Sequence, residues 1–150
     1  MKIPAKPPVG SLIAYEYVWA SAFKGRDEGD KTYPVAIVAA RQDLGPFFVA
    51  YVLAISHRAP RSGDRAIAVP LKLKRHLGLD DRPSWVYTDQ ANAFAWPGPD
   101  LREADRLSIA PRAVGTCIIG PLPSDWFKMV VEHFDESRRL GLLKLRPRRS

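Results

Sequence analysis

Cysteine and histidine are scarce in this sequence. Cys117 is the only cysteine among 150 residues, so the chain cannot form an internal disulfide. The three histidines, His57, His76 and His133, are scattered and show no metal-ligand spacing. The sequence therefore predicts no structural metal and no cofactor.

Long hydrophobic runs are also missing. No apolar segment approaches the roughly 20 residues that span a bilayer. The N-terminal MKIPAKPPVG has prolines where a signal peptide needs a hydrophobic stretch. We therefore expect a cytoplasmic protein with no membrane partner. Hydrophobic residues make up 46% of the chain, which is enough to bury a core, so we expect a single domain over residues 1–150.

Positive charge is in excess, but little of it lies in the body of the chain. A net charge of +7 would suit a nucleic-acid partner. However, the C-terminal LKLRPRRS supplies four of these charges, and Lys2 and Lys6 supply two more. The distribution favours a solvated basic tail over residues 143–150 and a flexible Pro-rich arm over residues 1–9. A tail that binds nucleic acid non-specifically is the alternative.

Short β-rich segments dominate the first half of the chain. Alternate residues of GSLIAYEYVWA are apolar and fall on one face of a strand: Ile13, Tyr15, Tyr17 and Trp19. Two apolar runs, 34–40 and 47–55, are separated by a turn at Gly45-Pro46 and predict paired, buried strands. AIAVP predicts a further strand, and LKLKRHLGL predicts a short helix that ends at Gly78.

The segment PSDWFKMVVEHFDESRRLG predicts an amphipathic helix. Its apolar residues at i, i+3, i+4 and i+7 form one stripe: Phe127, Val130, Val131 and Phe134. Ser124 suits the N-cap, and Gly141 suits the position after the last turn. Together with four or five short strands and one small helix, this predicts a mainly β fold: a small half-open β-barrel with a C-terminal α-helix packed on it.

Polar residues that suit chemistry lie in loops and at strand ends, where functional sites are usually found. They occur in SAFKGRDEGDKT, in SHRAPRSGDR and around TDQ within SWVYTDQANAFAWPGPDLR. No GxSxG, P-loop or paired-cysteine motif is present. On the residues alone, an enzyme and a binding module both remain open, and a mixed-charge loop is often only solvated.

The order of these pieces resembles the MazF/PemK family of toxins, and is most similar to a longer PemK-like branch. The segments that carry the resemblance are GRDEG, AISHR, the Asp-Gln step, HLGLDD, SW, NAFAWPGPDLR and the last helix after GPLP. They extend from about Gly10 to Gly141. The resemblance implies an SH3-like barrel that forms a homodimer and cuts single-stranded RNA without a metal. It also implies an acidic protein antitoxin that lies across the RNA groove.

The resemblance further implies site residues on three separate segments. Glu28 is expected to act as base or loop organiser, Ser56 to donate to the scissile phosphate, and Asp89 to lie next to the cleavage position. RNA contacts are expected from seven residues: Arg26, Lys31, Tyr33, His57, Arg58, Gln90 and Trp96. The Trp96 ring can either stack on an RNA base or fill the core of a small barrel.

One position departs from the family pattern. The family usually has arginine immediately before the strand proline, where this sequence has Tyr33-Pro34. A phenol cannot replace the planar guanidinium with its fork of donors. Three consequences stay open: Arg26, Lys31 or Arg58 supplies the cation, Tyr33 itself donates a proton, or the barrel binds RNA or an acidic antitoxin peptide without efficient cleavage.

Overall fold

The computed structural model describes residues 1–20, 31–42 and 45–148, and these ranges contain nine strands and two α-helices. The strands are β1 (Ser11–Glu16), β2 (Thr32–Arg41), β3 (Val49–Ser56), β4 (Ala66–Ala68), β5 (Trp85–Tyr87), β6 (Gln90–Ala95), β7 (Leu101–Arg102), β8 (Ile118–Pro121) and β9 (Lys144–Pro147). The helices are α1 (Leu71–His76) and α2 (Ser124–Arg139). Neither helix has the length and apolar character needed to cross a membrane.

The strands form one sheet that curves into a half-open barrel without closing. Its main path runs β4-β5-β3-β2-β1-β7, while β6 pairs with β3 and β9, and β8 pairs with β1. Neighbouring strands are antiparallel except for the parallel pair β6 and β9. A register shift between Ile37 and Ala39 interrupts the long β2–β3 pairing, and such bulges increase local twist. The predicted mainly β, half-open barrel with a C-terminal helix is confirmed.

Alternation along β1 divides the interior into two clusters. Leu12 belongs to one cluster, which also includes Val130 of α2. The second cluster contains the four residues that the sequence placed on one face: Ile13, Tyr15, Tyr17 and Trp19. That prediction is confirmed, even though the strand itself ends at Glu16.

Helix α2 packs on the sheet through the predicted apolar stripe. Val130 is fully buried, and the rest of the stripe packs half-buried against the Leu12 cluster: Phe127, Val131 and Phe134. The helix begins at Ser124 with Pro123 as its N-cap and no side-chain cap bond, so the predicted Ser124 cap is wrong by one residue. Gly141 follows the last turn with φ of 72°, in the left-handed region that favours glycine.

The N-terminal segment is attached to the body of the protein, which corrects the expectation of a flexible arm over residues 1–9. The Lys2 amide donates to the Gly115 carbonyl at 2.6 Å, and Lys2 forms a parallel bridge with Thr116. The Pro4 carbonyl accepts the indole N–H of Trp96 at 2.8 Å. These hydrogen bonds satisfy polar groups of both partners and hold the segment in place.

Residues 144–148 are likewise part of the fold, which corrects the expectation of a solvated tail over residues 143–150 for the residues of it that the structure describes. Residues Lys144–Pro147 form β9, whose partner is the buried strand β6. The next residue, Arg148, pairs with the carboxylate of Asp100, which is fully buried. Arg148 therefore anchors the end of this strand to the core.

Candidate functional site

A pocket of about 560 Å³ opens at the edge of the sheet where β2 begins and β3 ends. Five of the ten residues that the sequence assigned to a site line it: Lys31, Tyr33, Ser56, His57 and Arg58. Residues after α1 complete the wall: Asp80, Arg82 and Ser84. Two segments of the predicted site therefore meet around one cavity.

Antiparallel pairing of β2 with β3 explains why these two segments meet. The register pairs Val35 with Ala54, so the start of β2 and the end of β3 lie at the same edge of the sheet. Tyr33 and Ser56 each lie two residues beyond that pair, on opposite strands. Strand pairing thus places the phenol and the hydroxyl beside the same cavity.

Ser56 is the last residue of β3 and shapes the turn that follows. Its Oγ accepts a hydrogen bond from the Arg58 amide at 3.1 Å, a local contact that tightens a turn. Because this bond uses only an oxygen lone pair, the hydroxyl hydrogen remains available for a ligand. The geometry suits a donor to a phosphate oxygen.

His57 is held by a carboxylate. Its Nε2 lies 2.8 Å from Oδ2 and 3.0 Å from Oδ1 of Asp80. An ionised carboxylate only accepts hydrogen bonds, so this geometry assigns the proton to Nε2 and leaves a lone pair on Nδ1. Burial lowers the pKa of His57, with the cations Arg82 and Lys74 acting in the same direction and Asp80 opposing them. A neutral imidazole with an accepting nitrogen is the form that works as a general base near neutral pH.

The same carboxylate is bound by a buried lysine. Lys74 is 2% exposed, and its Nζ donates to Asp80 Oδ1 at 2.8 Å, to Ser84 Oγ at 2.7 Å and to the Arg82 carbonyl. All three ammonium hydrogens therefore have acceptors, which is what burying a lysine requires. Burial alone raises the pKa of Asp80, but hydrogen bonds from Lys74 and the Arg82 amide, together with nearby His57, lower it overall.

The charge of the pocket is predominantly positive. Among the residues that the structure describes, four cationic side chains and the one carboxylate of Asp80 line it; the cations are Lys31, Arg58, Lys74 and Arg82. Lys74 forms a close ion pair with Asp80, so the net positive charge comes from the other three. A cleft lined by one sign of charge concentrates ligands of the opposite sign. The pocket is therefore suited to an anion such as a phosphodiester.

Aromatic rings form the inner wall of the pocket. Trp19 packs edge-on against Tyr33, with ring centroids 5.3 Å apart, and against Tyr87 at 5.5 Å. Tyr87 donates its hydroxyl to the Arg58 carbonyl at 2.5 Å, and burial raises its pKa to about 12. The phenol thus stays protonated at neutral pH and fixes the backbone of the turn that follows Ser56.

Asp89 lies elsewhere. Its Oδ2 accepts from the Arg65 amide at 3.0 Å, its Oδ1 is buried without a partner in the described residues, and burial raises its pKa. Asp89 is not among the residues that line the pocket with Ser56. The structure therefore does not bring Asp89 together with Ser56 at this pocket: the carboxylate holds the chain before β4 against the chain after β5.

Gln90 and Trp96 are also turned inward. Gln90 is 6% exposed and accepts from the Ala20 amide at 2.8 Å through Oε1. Trp96 is 4% exposed, with its indole N–H bound to Pro4. A ring this deeply buried cannot stack on an RNA base, so of the two alternatives for Trp96 core packing is the one observed. Glu28 and Arg26 lie outside the described residues.

The sequence did not identify four polar residues of the pocket: Lys74, Asp80, Arg82 and Ser84. They lie in or beside the phrases HLGLDD and SW, which served only as markers of resemblance. The pattern of a short amphipathic helix predicts that its lysines are exposed. No neighbouring residue in the sequence indicates that Lys74 is buried. Within the described ranges, no group of three or more histidine, cysteine or acidic residues is placed to hold a metal ion.

No protein-family model, curated protein or solved structure matches this chain.

Proposed function

We propose that this protein is an endoribonuclease that cleaves single-stranded RNA at the pocket between β2, β3 and the segment after α1, without a metal. The observation that supports it best is the grouping of Ser56, His57 and Arg58 at one cavity in which Asp80 holds the imidazole. RNA cleavage through attack by a 2′-hydroxyl requires three kinds of group: a base, hydroxyl donors and cations.

In the proposed reaction the 2′-oxygen attacks the adjacent phosphorus while Nδ1 of His57 takes the 2′-hydroxyl proton. A bond forms between the 2′-oxygen and phosphorus, and the bond to the 5′-oxygen breaks, leaving a 2′,3′-cyclic phosphate. Arg58 and Lys31 stabilise the charge that develops on the phosphorane. The departing 5′-oxygen takes a proton from a hydroxyl at the pocket wall, for which Tyr33 and Ser56 are the candidates.

The chemistry of the ends tests this mechanism. Purified protein incubated with a single-stranded RNA in EDTA should give internal cuts whose 5′ fragments end in 2′,3′-cyclic phosphate. An otherwise identical RNA with one 2′-deoxy nucleotide at the cut site should stay intact at that position. Cleavage of the deoxy substrate at the same position would contradict attack by the 2′-hydroxyl.

A second function is favoured by the phenol at Tyr33. The family that the sequence resembles usually has arginine there, and loss of one transition-state donor costs about 10²–10³ in rate. The alternative is a barrel that binds RNA or an acidic antitoxin peptide in the same pocket without efficient cleavage. Salt-sensitive RNA binding with no fragments after long incubation would favour this alternative.

The physiological setting belongs to the same proposal. We infer that the protein is the toxin of a type II toxin-antitoxin pair, acting on mRNA in the cytoplasm as a homodimer. An acidic, partly disordered antitoxin is the partner whose charge complements the pocket. Light scattering of the purified chain tests the dimer. Growth arrest on induction, relieved by a co-expressed acidic neighbour, tests the pairing.

A further inference from the structure

We propose that Asp80 and Lys74 are positioning residues that act through His57: together they fix the imidazole in the Nε2–H tautomer and make Nδ1 the proton acceptor of the site. This inference rests on the proposed nuclease function for its catalytic consequence. Its structural content, the state of His57, is measurable without RNA.

The geometry around the Asp80 carboxylate orients the imidazole of His57. Asp80 receives three kinds of donor: His57 Nε2, Lys74 Nζ and the Arg82 amide at 3.0 Å. Both carboxylate oxygens lie within 3.0 Å of the imidazole nitrogen, so the carboxylate holds the ring from one side. The other ring nitrogen, Nδ1, has no hydrogen bond within the described part of the chain. A histidine oriented in this way by a carboxylate has one fixed tautomer, the arrangement on which general-base histidines depend.

Lys74 is buried beside this carboxylate. Taking an ammonium group out of water is strongly unfavourable unless its donors are satisfied, so Lys74, at 2% exposure, depends on its hydrogen-bond partners. Its partners Asp80 and Ser84 line the pocket, and so does Lys74 itself. The Asp80 side chain is 51% exposed, so a lone carboxylate there could rotate into solvent. Lys74 holds it toward His57.

The charges of Asp80 and Lys74 act on the pKa of His57 with opposite sign, whereas their positions act together on its tautomer. Within the described part of the chain, Asp80 favours the protonated form of the imidazole, whereas Arg82 and Lys74 disfavour it. Removing the Asp80 charge should therefore lower the pKa of His57. Removing Lys74 takes away a cation but also frees Asp80 to turn into solvent, so the effect that reports positioning is the loss of the fixed Nε2–H tautomer in both variants.

The test is an NMR titration of His57 in the full chain, with nitrogen shifts to identify the tautomer. Three variants are compared with the unsubstituted protein: Asp80→Asn, Lys74→Met and the matched control Ser84→Ala, which removes one acceptor of Lys74 but leaves the Asp80 contact. We expect the Nε2–H form in the unsubstituted protein, a lower His57 pKa in Asp80→Asn, loss of the fixed tautomer in both Asp80→Asn and Lys74→Met, and little change in the control. Circular dichroism checks that each variant is folded.

Cleavage provides the second readout. Asp80→Asn should slow RNA cleavage about 100-fold, since a catalytic group displaced by about 1 Å can lose that factor. The acidic limb of the pH profile for kcat/KM should move in the same direction as the His57 pKa in each variant. An unchanged pKa and tautomer in Asp80→Asn would overturn the proposal. Asp80→Asn decides the question by itself if Lys74→Met does not fold.

The two proposals fail in different ways. Intact RNA with the unsubstituted protein would refute the nuclease function, while the titration would still show whether Asp80 and Lys74 set the state of His57. Conversely, active enzyme with an unshifted His57 in Asp80→Asn would refute only the positioning role.

Discussion

Arg148 and Asp100 form an ion pair that joins the C-terminal strand to the core. Nη2 of Arg148 lies 2.9 Å from Oδ2 of Asp100, whose side chain is fully buried, while the Arg148 side chain is 10% exposed. Nη1 donates to the Glu16 carbonyl at 2.7 Å. One guanidinium thus connects the end of β9 with β1 and with the turn before β7. A positive charge that the sequence assigns to a solvated tail therefore stabilises the fold.

Replacing this arginine should destabilise the fold. We expect Arg148→Ala to lower the free energy of unfolding by about 3 kcal/mol, because it leaves a buried carboxylate without its cation. Urea denaturation followed by circular dichroism measures the difference. Arg146→Ala is the matched control: Arg146 is exposed, and the hydrogen bond from its side chain to the Trp19 carbonyl is long at 3.4 Å, so its loss should cost about 1 kcal/mol or less. Equal losses in the two variants would contradict a special role for Arg148.

Acid should weaken the contact between α2 and the sheet. His133 Nδ1 lies 2.6 Å from Thr88 Oγ1, and burial together with Arg65 lowers the pKa of His133. A folded-state pKa below the unfolded value of about 6.5 means that the folded protein binds the proton less well. The resulting stability is fully present above that value and is lost as the pH falls through the folded-state pKa. His133→Gln should therefore flatten the decline in unfolding free energy between pH 7.5 and pH 5.5.

The control for this pH effect is His76→Gln, since His76 is exposed on α1. That variant should follow the unsubstituted protein over the same pH interval. A His133→Gln protein whose stability declines as steeply as that of the control would show that His133 does not carry the dependence. The comparison is made at fixed ionic strength, because the Arg65–Glu136 ion pair beside His133 is partly exposed and responds to salt.

Ser56 and Asp89 should differ sharply in their effect on cleavage. Ser56 lines the pocket, so Ser56→Ala should reduce kcat by about 100-fold, as expected for loss of one donor to the transition state. Asp89→Asn should leave cleavage within about threefold, because an amide oxygen can still accept from the Arg65 amide. A large activity loss in Asp89→Asn, with the fold intact, would restore Asp89 to the site.

The free energy of unfolding of Asp89 variants provides a second test. Burial raises its pKa, so the charged form is disfavoured in the folded protein, and stability is lost as the pH rises through that pKa. The neutral isostere in Asp89→Asn should accordingly leave the unfolding free energy at pH 7 unchanged or higher. Asp89→Ala should lower it, because the Arg65 amide then loses its acceptor.

Salt dependence should identify the cations that contact RNA. For a single strand, a plot of the logarithm of the observed binding constant against the logarithm of the salt concentration falls with a slope of about −0.7 for each phosphate neutralised. Removing the Lys31 or Arg82 side chain should reduce the magnitude of that slope by about 0.7 each. Lys128→Ala, on the exposed face of α2 and away from the pocket, should leave the slope unchanged. If all three variants behave alike, RNA does not bind at the pocket.

Local patterns predict much of this fold. The period-two alternation of β1 and the i, i+3, i+4, i+7 stripe of α2 each record which side faces the core, and both side-chain assignments hold. Strand β9 escaped prediction for a physical reason: all four of its residues are exposed, so no apolar periodicity marks it. Its pairing partner, β6, lies some 50 residues earlier, and nothing within LKLRPRRS encodes that contact.

The site was predictable only where neighbours in sequence remain neighbours in space. Ser56, His57 and Arg58 follow one strand and stay together, and strand pairing adds Tyr33. Other features of the site depend on contacts made by the finished fold. The side chain of Lys74 is buried because the chain returns six residues later with Asp80, and Trp96 is enclosed because the N-terminal segment crosses it.

The role of His57 as general base is tested most directly by the single-turnover cleavage rate of His57→Ala against that of His76→Ala, with the same single-stranded RNA, in EDTA at pH 7.5. We expect a loss of about 10²–10⁴ for His57→Ala, the range for a general base, and a rate near that of the unsubstituted protein for His76→Ala. Equal rates in the two folded variants would contradict it.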